Sequence, residues 1–145
     1  MKRITLLLAD DNKVLRGELR KIIELENDLE IVGEAKDGHQ AVAMANKFHP
    51  DLVLMDITMP LLSGLQATYQ ILKSVPATKV LMLSAHSDEA YVAESVKSGA
   101  MGYLIKQTSA NDVCTAIRQI YNGKTFYSPS IPKSLHKKHP KELKA

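Results

Sequence analysis

Apolar residues run almost unbroken at residues 4 to 9, 29 to 34, 51 to 56, 79 to 84 and 101 to 105, and between these runs the apolar spacing becomes helical. Short continuous runs of this kind read as strands buried on both faces. Five of them alternating with five helical segments predict an α/β domain around a parallel sheet. Val14, Leu15, Leu19, Ile22 and Ile23 make one predicted helix face, and Ala41, Val42, Ala45 and Phe48 another; both are read as core faces. The last helix is expected to open at Ser109, with Asp112 three residues on completing a capping box, and to end before Gly123. From Pro129 onward Pro, Ser, Lys and His dominate without an apolar period, which predicts a linker or a frayed end. The expected division is a domain over residues 1–123 and a basic linker or tail over 124–145.

The residues that close the apolar runs carry the chemistry. Asp10-Asp11 ends the first, Asp56 the third, Ser84 the fourth and Lys106 the fifth. In a doubly wound sheet the carboxyl ends of the strands line the crevice where ligands bind, so these groups are expected on one rim. At about 4 Å and an effective dielectric of about 20, each pair of like charges costs roughly 4 kcal/mol, which makes three carboxylates poor scaffolding. Around a hard divalent cation they are well chosen. A cation held by Asp10, Asp11 and Asp56, with the Ser84 hydroxyl as donor and the Lys106 ammonium as point charge, makes a site for phosphoryl transfer to a carboxylate. Asp10-Asp11 alone would read as a solvated turn opening a helix, where acids suit the helix dipole; the other three groups turn the reading toward a site.

Charge and composition narrow the remaining choices. Residues 124 to 145 hold six lysines (Lys124, Lys133, Lys137, Lys138, Lys141 and Lys144) against Glu142, so removing that +5 from the net +3 leaves the first 123 residues at about −2. The folded part therefore offers no obvious surface for nucleic acid, and the lysines read as a solvated linker. The apolar run after Met1-Lys2-Arg3 is too short for a signal peptide, and no run approaches the length of a membrane span, so a cytoplasmic protein without membrane contact is expected. Cys114, the single cysteine, sits in a helical pattern with Val113, Ile117 and Ile120 and reads as a buried structural thiol. His39 and His49 read as surface residues near helix ends, and His136 with His139 as a weak metal pair at best.

Taken in order, Asp10-Asp11, Asp56 with Met59-Pro60 and Gly64, Leu83-Ser84-Ala85, and Gly102-Tyr103-Leu104-Ile105-Lys106 resemble the receiver domain of two-component response regulators over residues 3 to about 123. The resemblance implies a doubly wound, five-stranded parallel sheet of flavodoxin-like topology with strand order 2-1-3-4-5. It implies further that Asp56 accepts a phosphoryl group from a sensor histidine kinase or phosphorelay protein. Asp10, Asp11, Asp56 and the backbone carbonyl of Thr58 would hold Mg²⁺, and Ser84 and Lys106 would meet the phosphoryl oxygens. Ser84 and Tyr103 resemble the family's switch pair, and Thr58 and His86, each two residues past a site residue, are expected to set the phosphoryl lifetime. Gln107 stands where many receivers carry proline after the lysine. With the Gly99-to-Lys106 run and the Gly123, Phe126, Ser128-Pro129 pattern, this is similar to the branch whose receivers precede LuxR-type helix-turn-helix domains.

The expected function is a phosphorylation-dependent switch, most simply the regulatory half of a transcription regulator, with a stand-alone receiver acting by protein interaction or phosphorelay as the alternative. Only Lys133 to Ala145 follow Pro132, too few for a DNA reader, so DNA contact is expected only through an output domain outside this chain. A homodimer on phosphorylation is left open, through the fourth-to-fifth-helix face or through the first and fifth helices. Two rivals fail on residues. A flavodoxin-type electron carrier needs a Gly/Ser/Thr-rich phosphate loop after the first strand, where this chain has two aspartates. A haloacid-dehalogenase-type phosphatase needs a second aspartate two residues after the nucleophile, where this chain has Thr58. An enzyme turning over foreign substrates is therefore not expected; self phosphotransfer and autodephosphorylation are.

Overall fold

In the computed structural model, which describes residues 2–136 apart from Ser87, Gln107 and Ser109, the apolar runs form one parallel sheet. Its strands are β1 (Ile4–Ala9), β2 (Leu29–Ala35), β3 (Leu52–Met55), β4 (Lys79–Ser84), β5 (Gly102–Ile105) and β6 (Phe126–Tyr127), in the order β2-β1-β3-β4-β5-β6. The expected order 2-1-3-4-5 is present, and a sixth strand lies beside β5. A two-residue strand is too short to show a period, so nothing in the apolar pattern announces it.

Among the described residues five α-helices alternate with the strands, α1 (Lys13–Glu24), α2 (Gly38–Phe48), α3 (Gly64–Ser74), α4 (Glu89–Ser98) and α5 (Ala110–Tyr121), and a single 3-10 turn follows at Lys133–Leu135. Side chains of successive strand residues point to opposite faces, and both faces here are covered. Leu7, Val53, Val80, Met82 and Tyr103 pack with Ala41 and Ala45 of α2, Ala67 and Ile71 of α3 and Val92 of α4. Leu6, Leu8, Leu54, Leu81 and Leu104 pack on the other face with Leu19 and Ile23 of α1 and Val113, Cys114 and Ile117 of α5. Cys114 is buried, as expected.

Helix starts follow local chemistry. The Asn12 side chain accepts from the amides of Val14 and Leu15 at 3.0 and 3.2 Å, and Asp37 and Ser63 cap α2 and α3 through Gln40 and Gln66. The expected capping of α5 by Ser109 lies outside the described residues. Two expected core positions are instead exposed, Val14 at 71% and Phe48 at 42%. At 100° per residue, Val14 points about 130° away from the centre of the Leu15, Leu19, Ile22 and Ile23 stripe, so it cannot face the sheet with them. Phe48 closes the last turn of α2 and lies under the Lys47 ammonium, 5.2 Å from the ring centroid.

Residues 124 to 136, expected from composition to be a linker, carry more of the fold than their polarity suggests. Ser128 and Ile131 are buried, Leu135 packs against the core cluster that contains Val92, and His136 stacks on Tyr127 at 4.0 Å between ring centroids. Gly102 allows this close approach, since a Cβ there would lie 2.3 Å from the Phe126 carbonyl oxygen.

Candidate functional site at the carboxyl ends of the strands

Strand register brings the polar residues together. Ala9 pairs with Met55 and Ser84 with Ile105, so the residues at or just past these positions emerge at one level of the sheet. The ladder continues one step beyond the strands through Asp10 N–H to the Ala35 carbonyl, Asp56 N–H to Ala9, and Lys106 N–H to Ser84. The backbone carrying each site residue is thereby fixed by sheet hydrogen bonding. Gly64 secures the loop beyond Asp56: its amide donates to the Ile57 carbonyl at 2.7 Å, and a Cβ at this position would lie 1.9 Å from the Asp56 carbonyl oxygen. Any side chain there would displace the backbone of Asp56 itself.

Carboxylate oxygens of Asp10, Asp11 and Asp56 lie within 4.8 Å of one another. Asp10 and Asp56 are buried and Asp11 is exposed, so the cluster opens to solvent on one side. Lys106 Nζ lies 3.2 Å from Asp10 Oδ2 and 3.5 Å from Asp56 Oδ2. One ammonium among three carboxylates leaves negative charge uncompensated, and the side chains register it. Burial first, and the Asp10 charge second, push the Asp56 carboxyl up to about 6 despite the opposing pull of Lys106. Burial alone would depress the Lys106 ammonium, but Asp56 and Asp10 outweigh it and hold it above its ordinary value. The donor set is all oxygen, clustered and electron-rich, which fits a hard divalent cation such as Mg²⁺.

Ser84 and Tyr103 occur in one hydrogen-bonded relay centred on His86. The His86 amide donates to Ser84 Oγ at 3.1 Å, and the Tyr103 hydroxyl donates to the His86 carbonyl at 2.6 Å. The His86 ring stacks on Tyr91 of α4 at 4.3 Å, and its Nε2 lies 3.0 Å from Thr58 Oγ1. Tyr103 is fully buried, and burial pushes its hydroxyl pKa up. Thr58 and His86, singled out together in the sequence on their spacing from Asp56 and Ser84, are direct partners.

Two contacts of this neighbourhood escaped the sequence reading, which named Ser128 only within the pattern after the last helix and did not single out Arg16. Ser128 Oγ accepts from the Ile105 amide at 2.9 Å, one residue before Lys106, and the Ser128 amide donates to the Tyr103 carbonyl at 3.0 Å. Arg16 Nη1 donates to the Asp10 carbonyl at 2.5 Å. Both act on backbone atoms, which leave no mark in residue type. His39 and His49 are exposed as expected, while Gln107 and His139 lie outside the described residues. Among the described residues, no helix is long and apolar enough to cross a membrane.

The family model described as "Response regulator receiver domain" matches residues 6–118. The transcriptional regulatory protein DegU of Brevibacillus brevis is 35% identical over 137 residues, covering 94% of this chain and 58% of the relative. The response regulator protein VraR of Staphylococcus aureus is 35% identical over 128 residues, covering 88% of this chain and 61% of the relative. A crystal structure of a LuxR-family two-component response regulator from Aurantimonas superposes with a TM-score of 0.85 at 30% identity, over 90% of this chain and 93% of that one. The chain thus spans about three-fifths of the length of these curated relatives.

Proposed function

This chain belongs to the response regulator receiver domain family, and on that premise we propose that Asp56 is its phosphoacceptor and that Asp10, Asp11, Asp56 and the Thr58 carbonyl hold Mg²⁺. The observation that carries the reading is the imbalance at the strand ends, where three clustered carboxylates meet one lysine. In the transfer, a carboxylate oxygen of Asp56 attacks phosphorus in line with the leaving group. The new O–P bond forms as the P–N bond to the donor histidine breaks, and the departing imidazole nitrogen keeps the electron pair and takes a proton from solvent. A bound divalent cation supplies positive charge that offsets repulsion between carboxylate and phosphoryl dianion. Lys106 supplies a second positive charge from the β5 side, and Ser84 a hydroxyl donor from β4.

The donor would be a sensor histidine kinase or relay protein in the cytoplasm, and a small phosphodonor would serve in its place. Drawing the Ser84 hydroxyl onto a phosphoryl oxygen changes the group that the His86 amide meets, and through His86 it reaches Tyr103 and Tyr91. That path connects the acceptor to α4 and β5, the surface whose change would be the output. The populations shift only by the free energy with which the phosphoryl group prefers one arrangement. With DegU and VraR as relatives, the output proposed for the whole protein is transcription regulation, through a DNA-binding part beyond these residues.

The test is the intact mass of the purified chain after incubation with a small phosphodonor, with and without Mg²⁺, for wild type and Asp56→Asn. The expected outcome is a Mg²⁺-dependent gain of one phosphoryl group in wild type and none in the variant. A folded wild type that binds Mg²⁺ and gains no mass would refute the acceptor role.

A further inference from the structure

Arg16 lies on α1, one turn past the acidic pair, and its side chain is only 13% exposed. Its guanidinium spans two elements. Nη1 donates to the Asp10 carbonyl at 2.5 Å, and Nε donates to Glu34 Oε1 of β2 at 3.0 Å. The other Glu34 oxygen accepts from Arg20 Nε at 2.8 Å, and Arg20 Nη1 reaches Glu24 Oε1 at 3.4 Å. Two arginines and two glutamates make this chain of contacts neutral in sum.

That neutrality bears on what Arg16 is for. A bare positive charge behind a site that gathers cations would oppose their binding, and Glu34 largely removes that effect by pairing with it. What remains is geometry. The Asp10 carbonyl is gripped by Arg16 while the Asp10 carboxylate accepts from the Asn12 amide at 2.8 Å, so the turn carrying Asp10 and Asp11 is fixed at both of these points. A planar guanidinium suits this role because one rigid fork meets the carbonyl and the carboxylate at once; a lysine ammonium cannot span both in the same way.

We propose that Arg16 is a positioning residue of the acidic site: braced by Glu34, it holds the Asp10-Asp11 turn so that both carboxylates face Asp56 before a cation arrives. The inference rests on the reading of Asp10, Asp11 and Asp56 as a Mg²⁺ site. Outer partners that orient ligands in this way typically change metal affinity by about 10- to 100-fold when removed.

The test measures Mg²⁺ affinity by titration calorimetry on the full chain for wild type, Arg16→Ala, Arg16→Lys and Glu34→Gln, with thermal unfolding recorded alongside. Arg16→Ala is expected to bind Mg²⁺ about tenfold more weakly. Its rate of phosphorylation by a small phosphodonor should return toward wild type at saturating Mg²⁺, because the defect lies in holding the site together and not in the transfer. Arg16→Lys, with the charge but not the fork, should fall between Arg16→Ala and wild type, and Glu34→Gln should weaken binding by less than Arg16→Ala. Affinity equal to wild type in Arg16→Ala with a lowered unfolding temperature would make Arg16 a tie between helix and sheet, and tighter binding would make it an electrostatic opponent of the cation; either overturns the proposal. Should Arg16→Ala fail to fold, Arg16→Lys decides alone, wild-type affinity overturning the proposal and weaker affinity supporting it. Absence of Mg²⁺ binding in wild type would overturn the site reading and this inference with it.

Discussion

Two clusters, each of one basic side chain among acids, sit at opposite rims of the sheet and differ in electrostatic character. Where the strands begin, Arg118 of α5 donates to both carboxylate oxygens of Asp28 at 2.8 Å and to Glu26 at 2.7 Å. The Arg118 hydrogen bonds hold the Asp28 carboxyl below its ordinary range, and those acids hold the guanidinium above its own. Where the strands end, the Asp56 carboxyl is pushed up to about 6. Planar two-oxygen pairing in partial solvent makes the first cluster a tie between α5 and the loop after α1. Burial and excess negative charge make the second a place that gains by receiving a cation. Charged side chains near one another are thus not one kind of feature: Arg118 meets its two acids in matched geometry, whereas three carboxylates share one lysine at the other rim.

The largest effect expected from breaking this contrast is at Asp56. Its folded pKa of about 6 lies above the ordinary 3.8, so the folded chain binds a proton more tightly than the unfolded one. The ionised carboxylate therefore costs stability above about pH 6, and the cost fades as the pH falls toward 3.8. Without Mg²⁺, Asp56→Asn should be more stable than wild type by on the order of 2 kcal/mol at pH 7.5. Urea denaturation should show the gap closing by about pH 4. Equal stability at pH 7.5 would erase the distinction between the two clusters.

A smaller effect sharpens it. Replacing Lys106 by Met removes the cation that lies between Asp10 and Asp56 and should move the Asp56 carboxyl further above 6, read from the pH titration of its carboxyl carbon resonance. A fall instead would mean that Lys106 acts mainly by burying the site. The smallest change is expected at the other rim. There Arg118→Ala should lower stability by about 1 kcal/mol at pH 7, because its partners are about a third exposed and solvent screens them. Asp28 is depressed, so this contribution is present above the ordinary carboxyl range and lost as the pH falls through its folded value. The difference between variant and wild type should shrink in acid and in about 1 M salt; a salt-independent loss would assign Arg118 to packing.

The sequence makes legible whatever the fold expresses as residue type at a regular period. The polar closures Asp10, Asp56, Ser84 and Lys106 stand out because each ends an apolar run, and the sheet places them on one rim. Interactions with backbone atoms are silent in a sequence. Nothing in the sequence singles out Arg16, and Ser128 stands there only as one member of the pattern after the last helix, until the Asp10 carbonyl and the Ile105 amide are seen beside them. His86 reads from the sequence as a partner of Thr58 in setting the phosphoryl lifetime, whereas its contacts join four residues through both its ring and its main chain. Val14 failed for a different reason, since apolar character places a residue on a helix without fixing which way it points.

Strand β6 has a consequence for how the sheet ends. An unpaired edge strand displays amides and carbonyls to which another chain can add, and β5 would be such an edge if the sheet stopped there. Phe126 and Tyr127 take up that edge with two residues, and Pro129, two residues on, and Pro132, five residues on, lack amide hydrogens. On that flank the sheet is closed to growth by a very short border that offers little further backbone for pairing.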